Sequence, residues 1–83
     1  MLYHLYILRC SDSTLYTGIT TDLARRLSEH NHDRKGAKYT RARRPVALVY
    51  SQRYKDRSKA SVAEARIKNL TRSEKLALIR AKR

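Results

Sequence analysis

Leu5–His30, LYILRCSDSTLYTGITTDLARRLSEH, is the stretch on which the reading of the fold turns. It opens inside an almost unbroken apolar run, Leu2-Tyr3-His4-Leu5-Tyr6-Ile7-Leu8. Such a run, rich in β-forming side chains, suits a strand covered on both faces and therefore central in its sheet. Ser11-Asp12-Ser13-Thr14 follows, four short polar side chains able to bond nearby backbone groups in a turn. Leu15-Tyr16-Thr17-Gly18-Ile19 then returns to aromatic and β-branched residues, so the two segments read as a hairpin. Thr20 or Thr21 stands where it can cap a helix whose first turn carries Asp22 and whose buried side is marked by Leu23 and Leu27.

At about 100° per residue, His30 lies roughly 40° and Arg26 roughly 80° from the centre of the Leu23–Leu27 stripe, while Arg25 and Glu29 face away. An Arg and a His on the shoulder of a packing face point toward the rim of the sheet, within reach of Tyr6 or Tyr16. The plainer alternative is an Arg26 that snorkels over the sheet edge and a His30 that is a satisfied, half-buried core residue.

Taken together these residues resemble the GIY-YIG nuclease superfamily, most of all its short stand-alone bacterial members. The family pattern has a first tripeptide ending in Tyr, here His4-Leu5-Tyr6, and a second that begins with Tyr and ends in Gly, here Tyr16-Thr17-Gly18. A helix then brings an Arg and a His, matched by Arg26 and His30, and a later helix brings a metal-binding Glu, matched by Glu64 in Ala60-Ser61-Val62-Ala63-Glu64-Ala65-Arg66-Ile67-Lys68. His4 and Leu5 replace the Gly and Ile of the first tripeptide. Some members also carry an Asn well beyond the Glu; Asn69 lies only five residues after it.

The resemblance implies hydrolysis of DNA phosphodiesters with one divalent metal, Mg²⁺ being the usual ion. It implies Glu64 as the metal ligand, a hard oxygen donor suited to an ion that keeps several waters. Arg26 would offer its planar fork to the scissile phosphate, with Tyr6 as general base, Tyr16 orienting water or phosphate, and His30 carrying the proton away. The two tyrosines can exchange roles on sequence grounds. A phenol with a pKa of about 10 needs nearby positive charge to act as a base at neutral pH, and Arg26, His30 and the metal are the expected sources.

Composition bounds these readings independently. A chain of 83 residues suits one compact domain, 1–83, with a small core. Lys plus Arg number 20 against 7 Asp plus Glu, a formal charge of +13 that favours polyanions, DNA foremost, over acidic small molecules. The run RKGAKYTRARR concentrates Arg34, Lys35, Lys38, Arg41, Arg43 and Arg44 around Tyr39 with no acid among them, suited to phosphate contacts and one stacking ring. A solvated basic loop is the plainer alternative. That run lacks the apolar face of a membrane-surface helix, no segment is long enough to span a bilayer, and the N-terminal apolar run lacks secretory flanks, so a cytoplasmic protein is expected. Cys10 stands alone and reads as a small core residue, and His4 and His32 lack partners at metal-ligand spacing.

Beyond Pro45, Val46-Ala47-Leu48-Val49-Tyr50 reads as a third strand. Asp56 or Ser58 starts a helix with an apolar stripe of Ala60, Ala63, Ile67 and Leu70, and Glu64 sits on its shoulder. For Glu64 the plainer alternative is an i,i+4 pair with Lys68. Thr71 and Glu74 have capping-box spacing before a last helix carrying Leu76 and Ile79. The expected fold is therefore α+β, a small three-stranded antiparallel sheet flanked by helices, as the resemblance also implies. Its expected function is a metal-dependent DNA endonuclease of repair or recombination; a noncatalytic nucleic-acid-binding protein with the same fold and basic surface is the second class. No base-reading helix stands out, so recognition of DNA shape or backbone is expected, with a protein partner to supply specificity.

Overall fold

The computed structural model describes residues 1–82; Arg83, the last residue of the expected 1–83 domain, lies outside them. Its elements are β1 (Tyr3–Arg9), β2 (Leu15–Thr20), α1 (Leu23–His32), α2 (Lys38–Arg41), β3 (Ala47–Tyr54), α3 (Arg57–Lys68) and α4 (Arg72–Lys82). The three strands form one antiparallel sheet in the order β2-β1-β3, the α+β architecture expected from the sequence. β1 is the central strand, and its Leu5, Tyr6, Ile7 and Leu8 are all buried because both faces of the sheet are covered.

Side-chain alternation divides the core in two. On one face Tyr6, Leu8 and Cys10 pack with Val46, Tyr16 and the Leu23–Leu27 stripe of α1. On the other, Leu5 and Ile7 pack with Ile67, Ala63 and Leu70 and with Leu78 and Ile79 of α4. Cys10 is a buried core residue, as expected. β3 runs on through Ser51, Gln52 and Arg53, beyond the apolar Val46–Tyr50 that marked it in the sequence. An edge strand with one open side tolerates such polar residues, so its polarity hid its length.

Helix starts follow side-chain caps. Asp22, not Thr20 or Thr21, caps α1 by accepting from the Arg25 amide at 3.0 Å, while the Thr20 hydroxyl accepts from the Asp22 amide. Carboxylate and hydroxyl compete for the same turn, and the carboxylate lies two residues closer to the helix. Asp56 caps α3 through the Lys59 amide, and Thr71 and Glu74 form the expected reciprocal box at the start of α4.

The basic run departs from a plain loop. It folds into α2 and is fastened to α1: the Arg44 guanidinium donates to the carbonyls of Glu29, His30 and Asp33, satisfying the C-terminal end of that helix. Asn31 completes the junction. Its amide donates to the Val46 carbonyl at 3.0 Å and accepts from the Val46 amide at 2.7 Å, as a neighbouring strand would. Asn31→Ala leaves both Val46 groups unpaired, and urea unfolding should show a loss of about 1–3 kcal/mol. Unchanged stability would show that this clasp holds nothing.

Candidate active site

Tyr6 stands opposite Gly18 across the β1–β2 ladder, and that pairing gives the motif glycine its purpose. A Cβ built on Gly18 would lie 2.5 Å from Tyr6 Oη and 2.7 Å from Cζ, so only glycine lets the phenol ring cross over β2. The ring thereby brings its hydroxyl to 2.8 Å from Nε2 of His30, a residue 24 positions away on α1. His30 is fully buried and Tyr6 is 2% exposed. Nδ1 of His30 lies 2.8 Å from the hydroxyl of Thr40 on α2, itself fully buried.

Tyr16 and Arg26 flank this pair, and Tyr39 with Arg43 stands behind Tyr16. Tyr16 meets the His30 ring edge-on at 5.3 Å between centroids and lies 6.5 Å from the Tyr6 ring. It is half-buried, and its hydroxyl has no hydrogen-bond partner among the described residues. Tyr39 stacks on Tyr16 with centroids 6.0 Å apart, and the Arg43 guanidinium sits 3.8 Å above the Tyr39 ring while pairing with Asp12 at 3.0 Å. The ring that looked available for stacking on a base therefore already has partners within the chain. Arg26 is held by Glu29 at 2.8 Å and by the Lys35 carbonyl at 2.7 Å. Both bonds leave from Nη1, and the guanidinium also lies beside the Tyr6 hydroxyl, which it can serve only as a donor.

Burial decides the protonation states. Desolvation pushes the Tyr6 phenol up to about 12 against the opposing pull of Arg26 beside it. Desolvation, aided by the charge of Arg26, holds the His30 imidazole down at about 4. The expectation that His30 supplies positive charge to a phenolate is thus corrected: at neutral pH His30 is uncharged and Tyr6 keeps its proton. A buried pair in a low-dielectric site avoids net charge unless a fully desolvated counter-ion is present.

Glu64 lies on α3 at intermediate exposure, close enough to Tyr6 for its charge to raise the phenol further, and pairs with Lys68 at 3.4 Å. The i,i+4 pair considered from the sequence is therefore present. Lys68 and Lys75 also line a groove of about 250 Å³ whose other wall is Leu15, Tyr16, Thr17 and Tyr39. Among the described residues no group of three or more His, Cys, Asp or Glu side chains converges. A lone half-exposed carboxylate suits a hard cation that takes its remaining ligands from water and phosphate, which is the manner of Mg²⁺.

Of the seven residues expected to touch nucleic acid, Arg34, Lys35, Lys38, Tyr39 and Arg41 are exposed. Arg43 and Arg44 are committed to Tyr39, Asp12 and the end of α1. Sequence reasoning missed Thr40, Lys68 and Lys75. Thr40 carried no signal, being one hydroxyl within a cationic run. The two lysines lie on helices where charge reads as solvated surface.

Known proteins resemble this chain over nearly its whole length. Residues 2–77 match the GIY-YIG catalytic domain family. A UPF0213 protein of Desulfotalea psychrophila is 54% identical over 79 residues, 95% of this chain and 72% of that protein. One from Halobacterium salinarum is 49% identical over 77 residues, 93% of this chain and 99% of its own length. The solution NMR structure of a UPF0213 protein from Bacillus halodurans superposes with a TM-score of 0.65 at 41% identity, covering 99% of this chain and 86% of that one.

The neutral His30 has a consequence for stability. Its pKa is about 4 when folded against 6.5 when free, so below pH 6.5 the unfolded chain gains a proton that the folded chain refuses. The stability this group contributes is complete above pH 6.5 and falls progressively toward pH 4, by at most on the order of 3 kcal/mol. Urea unfolding at stepped pH should show that decline, and His30→Gln should flatten it. An NMR titration placing the His30 midpoint near 6.5 would sink the assignment.

Proposed function

The chain belongs to the GIY-YIG family of catalytic domains, a nuclease superfamily, and on that premise we propose that it is a metal-dependent endonuclease hydrolysing phosphodiesters in DNA. The observation that carries the reading is the gathering of Tyr6, Tyr16, Arg26 and His30 at one rim of the sheet, around the 2.8 Å contact between Tyr6 and His30.

Hydrolysis needs a base for water, neutralisation of charge on the phosphoryl oxygens and stabilisation of the leaving oxygen. Tyr6 takes the proton of water as it hands its own to Nε2 of His30. Concerted transfer avoids the free phenolate that burial puts out of reach at neutral pH. His30, enclosed by Tyr6 and Thr40, holds the proton until it returns through the Tyr6 hydroxyl. Arg26 meets the phosphate with the N–H groups that Glu29 and Lys35 do not use, and the unpartnered Tyr16 hydroxyl orients water or phosphate. Glu64 is the residue that would hold the divalent metal, Mg²⁺ by the chemistry of its oxygen donor, and a bound ion would supply Lewis-acid stabilisation of the developing charge. Lys68 must release Glu64 for this; exposed pairs of that spacing are weak.

Arg34, Lys35, Lys38 and Arg41 supply the outer phosphate contacts, while Arg43 and Arg44 serve the fold. Such a surface reads backbone and shape, so the substrate is recognised by structure, and a protein partner in repair or recombination supplies further specificity. The near-complete burial of Tyr6 favours one variation, in which half-exposed Tyr16 meets the water and the Tyr6–His30 pair stands behind it.

Purified protein should cut supercoiled or branched DNA with Mg²⁺ and not with a chelator. Tyr6→Phe and Glu64→Ala should each reduce cutting by about 10²- to 10⁴-fold, the range of a lost acid–base or metal group, with DNA binding kept. Binding without cutting in the unaltered chain would instead support a noncatalytic nucleic-acid-binding protein, and a loss confined to Tyr16→Phe would exchange the tyrosine roles. Arg41→Ala should weaken DNA binding and lower its salt dependence at unchanged stability, whereas Arg44→Ala should lower the unfolding midpoint. The reverse pattern would reassign the two arginines.

A further inference from the structure

Hydrogen bonds around His30 can be assigned by counting protons. Tyr6 Oη has one proton and, among the described residues, one acceptor for it, Nε2 of His30 at 2.8 Å, since the Arg26 guanidinium beside the phenol can only donate. The Thr40 hydroxyl also has one proton and touches two groups: the Ala37 carbonyl at 2.9 Å, which only accepts, and Nδ1 of His30 at 2.8 Å. If Thr40 donates to Ala37, its oxygen offers a lone pair to Nδ1, so Nδ1 carries the imidazole proton and Nε2 is bare. Every proton then has an acceptor: Tyr6 to Nε2, Nδ1 to Thr40, Thr40 to Ala37.

The opposite tautomer breaks this chain. With the proton on Nε2, imidazole and phenol would both present donors to one contact, or the Tyr6 proton would turn away with no acceptor in a site where Tyr6 is 2% exposed. An unpaired buried donor is among the more expensive defects in a protein interior. One contact favours that tautomer, the Ala37 amide 3.4 Å from Nδ1. At that length it is a weak bond, outmatched by two of 2.8 and 2.9 Å.

We propose that Thr40 is a positioning residue that sets the imidazole tautomer of His30, keeping Nδ1 protonated so that Nε2 stays open to the Tyr6 hydroxyl. The short helix α2 exists at the place in the basic run that delivers this hydroxyl: Thr40 and Arg41 amides both bond to the Ala37 carbonyl, closing the turn that also receives the Thr40 proton. Gly36 permits the approach, since a Cβ there would lie 2.5 Å from the Glu29 carbonyl oxygen and 2.8 Å from the His30 Cα. The structural part of the proposal stands on hydrogen bonding alone; its catalytic consequence rests on the nuclease reading.

Two measurements separate those parts. Long-range ¹H–¹⁵N correlation NMR on ¹⁵N-histidine-labelled protein at neutral pH should show His30 with protonated Nδ1 and bare Nε2; the opposite tautomer overturns the proposal even if no variant folds. Thr40→Val, which keeps shape and loses the hydroxyl, should shift His30 toward a mixture of tautomers, and Thr40→Ser should restore the original. In cleavage assays Thr40→Val should lower kcat by about 10- to 100-fold with KM and DNA binding unchanged, the lower part of the range for acid–base groups, and Thr40→Ser should recover most of it. A Thr40→Val protein that keeps the Nδ1–H tautomer and full kcat overturns the assignment. If the unaltered chain cuts no DNA, the nuclease reading falls, and the tautomer measurement still decides the role of Thr40.

Discussion

The hydrogen bond between Tyr6 and His30 joins the central strand to the first helix across 24 residues, and both of its partners are buried. Buried polar groups must be satisfied completely or not placed there at all. That constraint reaches outward through the fold. Gly18 must lack a side chain for the phenol to cross β2, Thr40 must lie where it can serve the far side of the imidazole, and the segment after α1 must bend back to deliver it. Arg44 and Asn31 hold that returning segment to the end of α1.

A formal charge of +13 suggests a site governed by positive potential, yet the groups at its centre are neutral. The pull of Arg26 on Tyr6 is real but smaller than the loss of hydration, so the phenol rises instead of falling. The same balance keeps His30 unprotonated, and here Arg26 adds to the effect of burial. Charge therefore acts around the site, through the exposed cations of the α1–α2 segment and the lysines of α3 and α4. The Tyr6–His30 contact thus joins two neutral, hydrogen-bonded partners.

Some of this was legible along the chain. The apolar run of β1 announced a central strand because a strand covered on both faces has no polar side to show. Leu23 and Leu27 gave the orientation of α1 and so the approach of Arg26 and His30 to the sheet rim, and Thr71 with Glu74 marked the start of α4 by local chemistry alone. Thr20, Thr21 and Asp22 all carry capping side chains, so local chemistry leaves the start of α1 open by one or two residues, and only the turn geometry selects Asp22. β3 continues past its apolar start through Ser51, Gln52 and Arg53, and polar residues of that kind in an edge strand leave no strand signal in the sequence.

The resemblance to a nuclease family implied that two tyrosines, an Arg, a His and a Glu share one site; what sequence by itself determined was the order of elements, the face of α1 that packs on the sheet, and a large excess of positive charge. Those follow from periodicity, local capping and net charge, which depend on neighbours a few residues apart. Only the tertiary structure decided which cations serve the fold, why the second tripeptide ends in Gly, and what protonation states the central pair adopts. Steric clearance, desolvation and hydrogen-bond counting depend on groups brought together from distant positions, so Thr40, unremarkable between Tyr39 and Arg41, acquires its role only once its hydroxyl is buried against His30.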